Sequence, residues 1–138
     1  MNYWLVKSEP GTWSWDDQVR DDVTGWDGVR NAQASNNMKK MSVGDLALFY
    51  HSGKQRAVVG IVKIVEEYHP DPTDKSGRFG QVSVKTYQAM PEPVTLAQIK
   101  AEADLQEIAL VRQPRLSVMP LSKPQFERIC QMGGLSAE

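Results

Sequence analysis

The sequence has very little of the chemistry that cross-links a small domain. Its 138 residues include one cysteine, Cys130, and two histidines. One thiol cannot form an internal disulfide or supply a zinc site built from several cysteines. His51 and His69 are far apart in the chain with no third ligand at metal spacing, and His69 lies in a proline-containing segment that predicts a solvated loop. We therefore predict no metal and no cofactor.

Long apolar runs are also missing. No stretch approaches the roughly 18 apolar residues that a membrane-spanning helix needs, and Lys7 and Glu9 interrupt the apolar N-terminal segment. Charged residues make up 24% of the chain, yet the formal net charge is only −1. We expect one soluble domain over residues 1–138 with no membrane partner, located in the cytoplasm or, in a eukaryote, in the nucleus.

Recognisable catalytic motifs are absent too. The chain contains no G-x-S-x-G elbow, no P-loop, no G-x-G-x-x-G and no H-E-x-x-H. Cys130 shares an apolar helical stripe with Phe126 and Ile129, which indicates a buried structural thiol rather than a nucleophile. The aspartate doublets at 16–17 and 21–22 lie in a polar, turn-rich stretch that is typical of solvated surface. The residues alone therefore indicate no catalytic arrangement.

Charge is distributed unevenly along the chain. Between positions 16 and 27 there are five aspartates and one arginine, whereas positions 30–63 carry six basic residues and one aspartate. A protein that grips duplex DNA through many phosphates usually has an overall basic excess. A local basic strip instead predicts few phosphate contacts and a shallow salt dependence. The basic residues that form this strip are Arg30, Lys39, Lys40, Lys54 and Arg56.

Hydrophobic periodicity predicts several strands and short helices. The segments predicted as strands are 3–7, 45–51, 57–68, 81–90 and 115–119. Residues 29–41 show apolar side chains at helical spacing, with Ala34, Met38 and Met41 on one face and Ser35 off it.

Turn and capping residues mark the ends of these elements. Gly60 lies in mid-strand, which predicts a bulge or bend, and residues 52–54 predict a hairpin turn. Gly133 predicts the end of the last helix. Helix starts are predicted where a Ser or Thr is followed three residues later by Asp or Gln, as in a capping box: Ser14, Thr95 and Ser122. We predict a mixed α and β (α+β) fold, in which the sheet curls into a small barrel and short helices lie across its ends.

One tryptophan, Trp26, lies in a setting that is compatible with ligand binding as well as with ordinary packing. All four tryptophans fall within the first 26 residues, and Trp26 precedes the turn pair 27–28 and then Arg30 and Asn31 at a predicted helix start. An indole face beside amide side chains suits a planar, polar heterocycle, which stacks on the ring and hydrogen-bonds at its edge.

The ends of two predicted strands add polar groups. Lys7 and Ser8 close the first strand, and Pro10 prevents its simple continuation. Ser8 shares a strand face with Trp4, so its hydroxyl points inward and needs a partner. Trp4 itself lies within an apolar strand and is interpreted as a core residue. His51 ends a buried strand and is either a satisfied core imidazole or a hydrogen-bond donor in a pocket.

Four motifs, in order along the chain, make the sequence similar to the EVE-domain family. They are Lys7-Ser8-Glu9-Pro10, Trp26-Asp27-Gly28-Val29-Arg30-Asn31, the segment 44–52 and the segment 112–118. The resemblance covers essentially the whole length. It implies a PUA-like fold, related to the YTH domains that read methylated adenine in RNA. It also implies a module that binds modified bases in DNA or RNA rather than a catalyst.

The resemblance further implies a base-binding pocket in which Trp26 is the stacking face. The other residues that it assigns to this pocket are Lys7, Ser8, Arg30, Asn31, Tyr50 and His51. The chain departs from the family pattern at Ala32 and Ser35, where an aromatic and a basic residue are usual. Its loop over residues 70–80 is also shorter than is common.

We therefore predict a non-catalytic module that binds nucleic acid through a modified base, for example a methylated one, flipped onto Trp26. Two alternatives stay open. One is an enzyme or enzyme subunit that acts on a nucleobase-like small molecule, with His51 or Glu9 as general base. The other is a small-molecule or protein-interaction module. The sequence specifies neither the modification nor an oligomeric state.

Overall fold

Twelve elements make up residues 1–135, the part of the chain that our computed structural model describes. In chain order they are β1 (Tyr3–Ser8), α1 (Trp15–Asp21), β2 (Val23–Gly25), α2 (Ala32–Lys39), β3 (Leu46–His51), β4 (Ala57–Pro70), β5 (Gly80–Thr95), α3 (Leu96–Ala101), a 3-10 helix (Ala103–Leu105), α4 (Ala109–Arg112), β6 (Val118–Leu121) and α5 (Lys123–Met132).

The six strands form one sheet in the order β2-β5-β4-β3-β1-β6. β1 and β3 are parallel, and the other neighbouring pairs are antiparallel. Consecutive buried side chains of β1 and β3, together with the first half of β4, supply much of the core. The mixed α and β class, with a curled sheet and short helices, is confirmed. None of the helices within residues 1–135 has the length and apolar character needed to cross a membrane.

The predicted irregularity at Gly60 is confirmed and has a steric cause. The β4–β5 register shifts between Val58 and Gly60, and the β3–β4 register shifts at the same level. Such shifts bend a strand and increase its twist, which helps the sheet to curl. The ring of Trp15 lies where a Cβ at position 60 would stand. Glycine therefore lets α1 pack directly against the sheet.

Local capping signals set the helix starts as predicted. Ser14, Thr95 and Ser122 each form a complete capping box, and Gly133 caps the end of α5. Trp4 is a core residue as predicted: it is 4% exposed, and its Nε1–H donates to Asp45 at 3.0 Å.

The helix predicted over residues 29–41 is shorter than expected. It begins at Ala32 because Asn31 adopts an extended conformation and its side chain caps the Ala34 N–H. Ser35 does not lie off the buried face. It is 3% exposed, and its hydroxyl is 2.8 Å from the phenol oxygen of Tyr68.

Two other boundaries differ from the prediction. The last strand runs over Val118–Leu121 rather than 115–119, because its pairing with β1 starts at Val118. Pro120 is tolerated there because β6 lies at the sheet edge, where a missing N–H costs least. β5 continues to Thr95, where the ladder resumes opposite Ala57.

The prediction of a solvated loop at His69 is wrong. His69 lies in β4, and its side chain is 27% exposed. Its Nδ1 is 2.7 Å from the Glu67 carbonyl oxygen, and its Nε2 is 3.1 Å from the amide nitrogen of Gln81. The β4–β5 ladder therefore extends further than apolar alternation indicated.

Candidate functional site

An open cavity of about 480 Å³ lies where the end of β1 faces the segment after β2. Its volume falls within the roughly 300–1,000 Å³ of typical ligand pockets. The residues that line it are Lys7, Ser8, Glu9, Thr12, Trp13, Thr24, Gly25, Trp26, Asp27 and Gly28. Three residues singled out from the sequence, Lys7, Ser8 and Trp26, therefore lie around one cavity.

Trp26 is held firmly although part of it lines the cavity. The residue is 7% exposed, and its ring meets Phe49 edge-on, with 5.4 Å between ring centroids and an interplanar angle of 87°. Its backbone N–H donates to the Val82 carbonyl at 2.7 Å. Trp15 packs on the same buried Phe49, at 5.2 Å, without lining the cavity. The indole orientation is thus fixed before any ligand enters.

Ser8 positions a second indole in the cavity wall. Its hydroxyl donates to the Trp13 carbonyl, and the Trp13 backbone N–H donates to the Glu9 carbonyl at 2.8 Å. The Trp13 Nε1–H donates to Gln18 at 3.0 Å, and Gln18 is completely buried in α1. The Ser8 oxygen keeps lone pairs that can accept a hydrogen bond from a ligand.

The charges around the cavity are mixed. The Lys7 ammonium donates to the Pro114 carbonyl at 2.7 Å and lies 5.8 Å from the centroid of the Tyr50 ring. Burial lowers the pKa of Lys7 and raises that of Tyr50. Glu9 and Asp27 add two carboxylates to the lining. One cation against two anions suits a neutral heterocycle with amino donors better than a phosphate.

A buried carboxylate holds the cavity wall from behind. The Asp71 side chain is 0% exposed and accepts from the Gly28 N–H at 2.9 Å and from Arg30 at 3.0 Å. It also accepts from the N–H and hydroxyl of Thr73, at 2.7 and 2.6 Å. Desolvation alone would raise the pKa of this carboxyl, but the hydrogen bonds outweigh it and lower the pKa to about 2. Gly28 has a φ of 78°, which favours glycine.

The remaining predicted residues have other partners. Asn31 caps α2 and lines a second cavity. His51 is 8% exposed, and its Nε2 accepts from the Trp15 N–H at 2.9 Å. That bond places the imidazole proton on Nδ1, which donates to Gln55 at 2.6 Å. Tyr50 and His51 are opposite Lys7 and Ser8 in the β1–β3 register, yet neither is among the residues that line the cavity.

Metal ligands and the cysteine thiol are the next groups to place. Within residues 1–135, no group of three or more His, Cys, Asp or Glu side chains is arranged to hold a metal ion. Cys130 is buried as predicted, and desolvation raises the pKa of its thiol to about 11.

A family model for the EVE domain matches residues 2–132. This chain belongs to the EVE domain family. It is similar to thymocyte nuclear protein 1 of Rattus norvegicus, with 32% identity over 165 residues covering 95% of this chain and 73% of that protein.

Solved structures of related proteins share the whole fold. The crystal structure of a protein from Agrobacterium tumefaciens is 42% identical, with a TM-score of 0.95 and coverage of 100% of this chain and 97% of the other. The human THYN1 protein, crystallised in complex with 5-methylcytosine-containing DNA, is 30% identical, with a TM-score of 0.88. The match covers 97% of this chain and 98% of the THYN1 chain. The PUA-like fold implied by the resemblance is confirmed.

Three residues that shape the site of this EVE domain were not identified from the sequence. Asp71 precedes Pro72 and Thr73, a pattern typical of an Asx turn, so its carboxylate had a local signal. Trp13 directly precedes the helix-capping Ser14. Gln18 had no signal, because its role depends on contacts that only the folded chain creates.

Proposed function

We propose that this EVE domain is a non-catalytic module that binds nucleic acid carrying a methylated base, with that base everted into the cavity beside Trp26. One combined observation carries the proposal. The cavity is open and has a fixed indole in its wall, in a chain that aligns over 97% of its length with the human THYN1 protein, which was crystallised with 5-methylcytosine-containing DNA.

Stacking supplies the first part of the binding energy. Everting a base costs a few kcal/mol, and stacking on an aromatic side chain returns about 1–3 kcal/mol per base. Trp26 loses little freedom on binding because Phe49 already fixes its ring. Trp13 offers a second aromatic surface in the same cavity.

Polar groups around the cavity suit the edge of a cytosine. The exocyclic amino group of cytosine is a donor that Glu or Asp side chains accept, and Glu9 and Asp27 both line the cavity. Lys7 has three N–H donors, and Pro114 uses one of them. A methyl group adds about 1–3 kcal/mol of discrimination when it fits an apolar corner. Binding of 5-methylcytosine is therefore the best-supported choice.

The geometry favours binding over catalysis. His51 was a candidate general base, but both its ring nitrogens have partners within the fold. Glu9 lines the cavity and accepts a hydrogen bond from the Gly11 N–H at 3.3 Å. Asp27 is a second carboxylate in the lining, but the Ser8 hydroxyl there donates to the Trp13 carbonyl and to neither carboxylate. The described lining therefore pairs no nucleophile with a general base.

A pair of matched substitutions tests the proposal. Trp26→Leu keeps an apolar side chain against Phe49 but removes the aromatic face from the cavity. Trp15→Leu makes the same change at a ring that also packs on Phe49 and lies outside the cavity. Fluorescence anisotropy would compare single-stranded oligonucleotides that differ only in cytosine or 5-methylcytosine.

We expect Trp26→Leu to weaken binding of the methylated strand by roughly 1–3 kcal/mol, while Trp15→Leu retains the parent affinity. A 2-aminopurine placed next to the methylated base in a duplex should brighten on binding, since eversion unstacks its neighbour. If Trp26→Leu is folded and binds like the parent, the assignment of the cavity is wrong.

A further inference from the structure

A second cavity, of about 390 Å³, adjoins the first. It is lined by Asn31, Gln33, Gln113, Pro114, Arg115 and Leu116. Lys7 belongs to the first lining, and its hydrogen bond to the Pro114 carbonyl joins the two. Residues 24–28 form one wall of the first cavity. Three residues further along the chain, Asn31 lines the second cavity.

The walls of the second cavity are anchored to the sheet. The Lys7 backbone N–H donates to the Ser117 carbonyl at 2.9 Å, which fixes the segment just after Arg115 against β1. The Asn37 side chain donates to the Val118 carbonyl at 2.8 Å, which joins α2 to β6. These two hydrogen bonds connect both walls of the second cavity to neighbouring strands.

The charge of the second lining is opposite to that of the first, in which two carboxylates outnumber one ammonium group. It contains a guanidinium and three side-chain amides but no carboxylate. Within residues 1–135, Arg30, Arg112 and Arg128 each pair with a carboxylate, whereas Arg115 is exposed and has no such pair. The cavity thus holds an exposed cation whose charge no carboxylate of the described residues neutralises.

The amide groups add donors to this cation. Asn31 uses its side-chain oxygen to cap α2, so its Nδ2 group remains for a ligand. Gln33 and Gln113 are exposed and make no side-chain hydrogen bond to another residue of 1–135. Arg, Asn and Gln side chains commonly donate to phosphate oxygens, and Arg can do so through two parallel bonds. With no aromatic ring in its lining, the cavity has no surface on which a base could stack.

We propose that this second cavity binds the phosphodiester group next to the everted nucleotide, through Arg115 and the neighbouring amides. The inference rests on the proposed function, because a base held in the first cavity carries its phosphate on the adjoining sugar. Lys7 lies between the two sites and separates a base-binding cavity from an anion-binding one.

The test compares two probes and two variants. The probes are the nucleoside 5-methyl-2′-deoxycytidine, which has no phosphate, and a trinucleotide with the same nucleoside at its centre. The variants are Arg115→Gln and Lys123→Gln, which remove the same charge. Lys123 is exposed at the start of α5 and lines neither cavity.

The parent protein should bind the trinucleotide more tightly than the nucleoside. Arg115→Gln should weaken trinucleotide binding by at least about tenfold, the lower end of what a lost charge-assisted hydrogen bond is expected to cost. Nucleoside binding should stay unchanged. On a longer single strand, the slope of log affinity against log salt should fall by about 0.7 for one lost phosphate contact. Lys123→Gln should match the parent protein in all three measurements.

Two outcomes would overturn the inference, and they are distinguishable. If the nucleoside binds but Arg115→Gln leaves trinucleotide affinity unchanged, the phosphate subsite is wrong and the base cavity stands. If neither probe binds the parent protein, the proposed function fails and the subsite fails with it.

Discussion

Replacing Asp71 by Asn should reveal how strongly a buried carboxylate holds the cavity wall. The carboxylate accepts four hydrogen bonds, from Gly28, Arg30 and two groups of Thr73. All four partners are donors, so the amide nitrogen of Asn would face donors on one side. The variant therefore loses part of the network and leaves Arg30 without its counter-charge.

The size of the effect follows from the pKa of Asp71. The pKa falls from the ordinary value of 3.8 to about 2 in the folded protein. That difference corresponds to roughly 2 kcal/mol of folding stability at neutral pH. Because the folded-state pKa is the lower one, this contribution is complete above about pH 4 and disappears as the pH falls toward 2.

Chemical denaturation at a series of pH values measures the contribution of Asp71 to folding stability. We expect Asp71→Asn to lower the free energy of unfolding by about 2 kcal/mol or more at pH 7, and the difference from the parent should narrow below pH 4. Affinity for 5-methylcytosine should fall as well, since the N–H of Gly28 in the cavity wall loses its anchor.

Asp74→Asn is the matched control in the same loop. Hydrogen bonds from Ser76 and Phe79 lower the pKa of Asp74, but its side chain makes no hydrogen bond to residues 26–30. We expect this variant to keep its affinity for the methylated base. A stability difference between Asp71→Asn and the parent that is the same at pH 2 and pH 7 would refute the reasoning.

Two further predictions concern packing. Gly60→Ala should lower the free energy of unfolding by about 1–3 kcal/mol, because the added methyl group would collide with Trp15. Gly11→Ala is the control: a methyl group there has ordinary clearance, so this variant should unfold at nearly the parent temperature. Equal melting temperatures for the two variants would contradict the packing argument. Cys130 should resist alkylation by iodoacetamide at pH 8 until the protein unfolds, because burial raises its thiol pKa to about 11. Mass spectrometry measures the labelling, and rapid labelling of the native protein would disprove this prediction.

Local signals account for the parts of the fold that were predicted well. A capping box such as Thr95 with Gln98 satisfies helix-end N–H groups within four residues, so it needs no distant contact. Gly60 is recognisable because a glycine in a strand usually marks a bend. β2 was not predicted, since three residues are too few to show a period, and its pairing with β5 determines it.

The site was predictable to the extent that neighbouring strands determine it. The β1–β3 register brings Ser8 opposite His51, which places both residues at one end of the sheet. The hydrogen-bond partners of each side chain depend on α1, because the Trp15 N–H donates to the His51 imidazole. Asp71 lies 43 residues from Gly28 along the chain, so only the folded structure shows that it supports the cavity.

Under the proposed function, the division of charge between the two cavities predicts which nucleic acids would bind best. A base cavity with two carboxylates and one lysine gains little from phosphates, and the proposed subsite holds a single phosphate at Arg115. Stacking returns about 1–3 kcal/mol and one charged contact about 1.5–3 kcal/mol, against an eversion cost of a few kcal/mol in duplex DNA. These terms nearly cancel in a fully paired duplex, so methylated bases that are unpaired, mismatched or single-stranded should bind best.

Selectivity for the methyl group then depends on the proposed base cavity rather than on phosphate contacts. The preference for a methylated base should therefore persist at salt concentrations that weaken overall affinity.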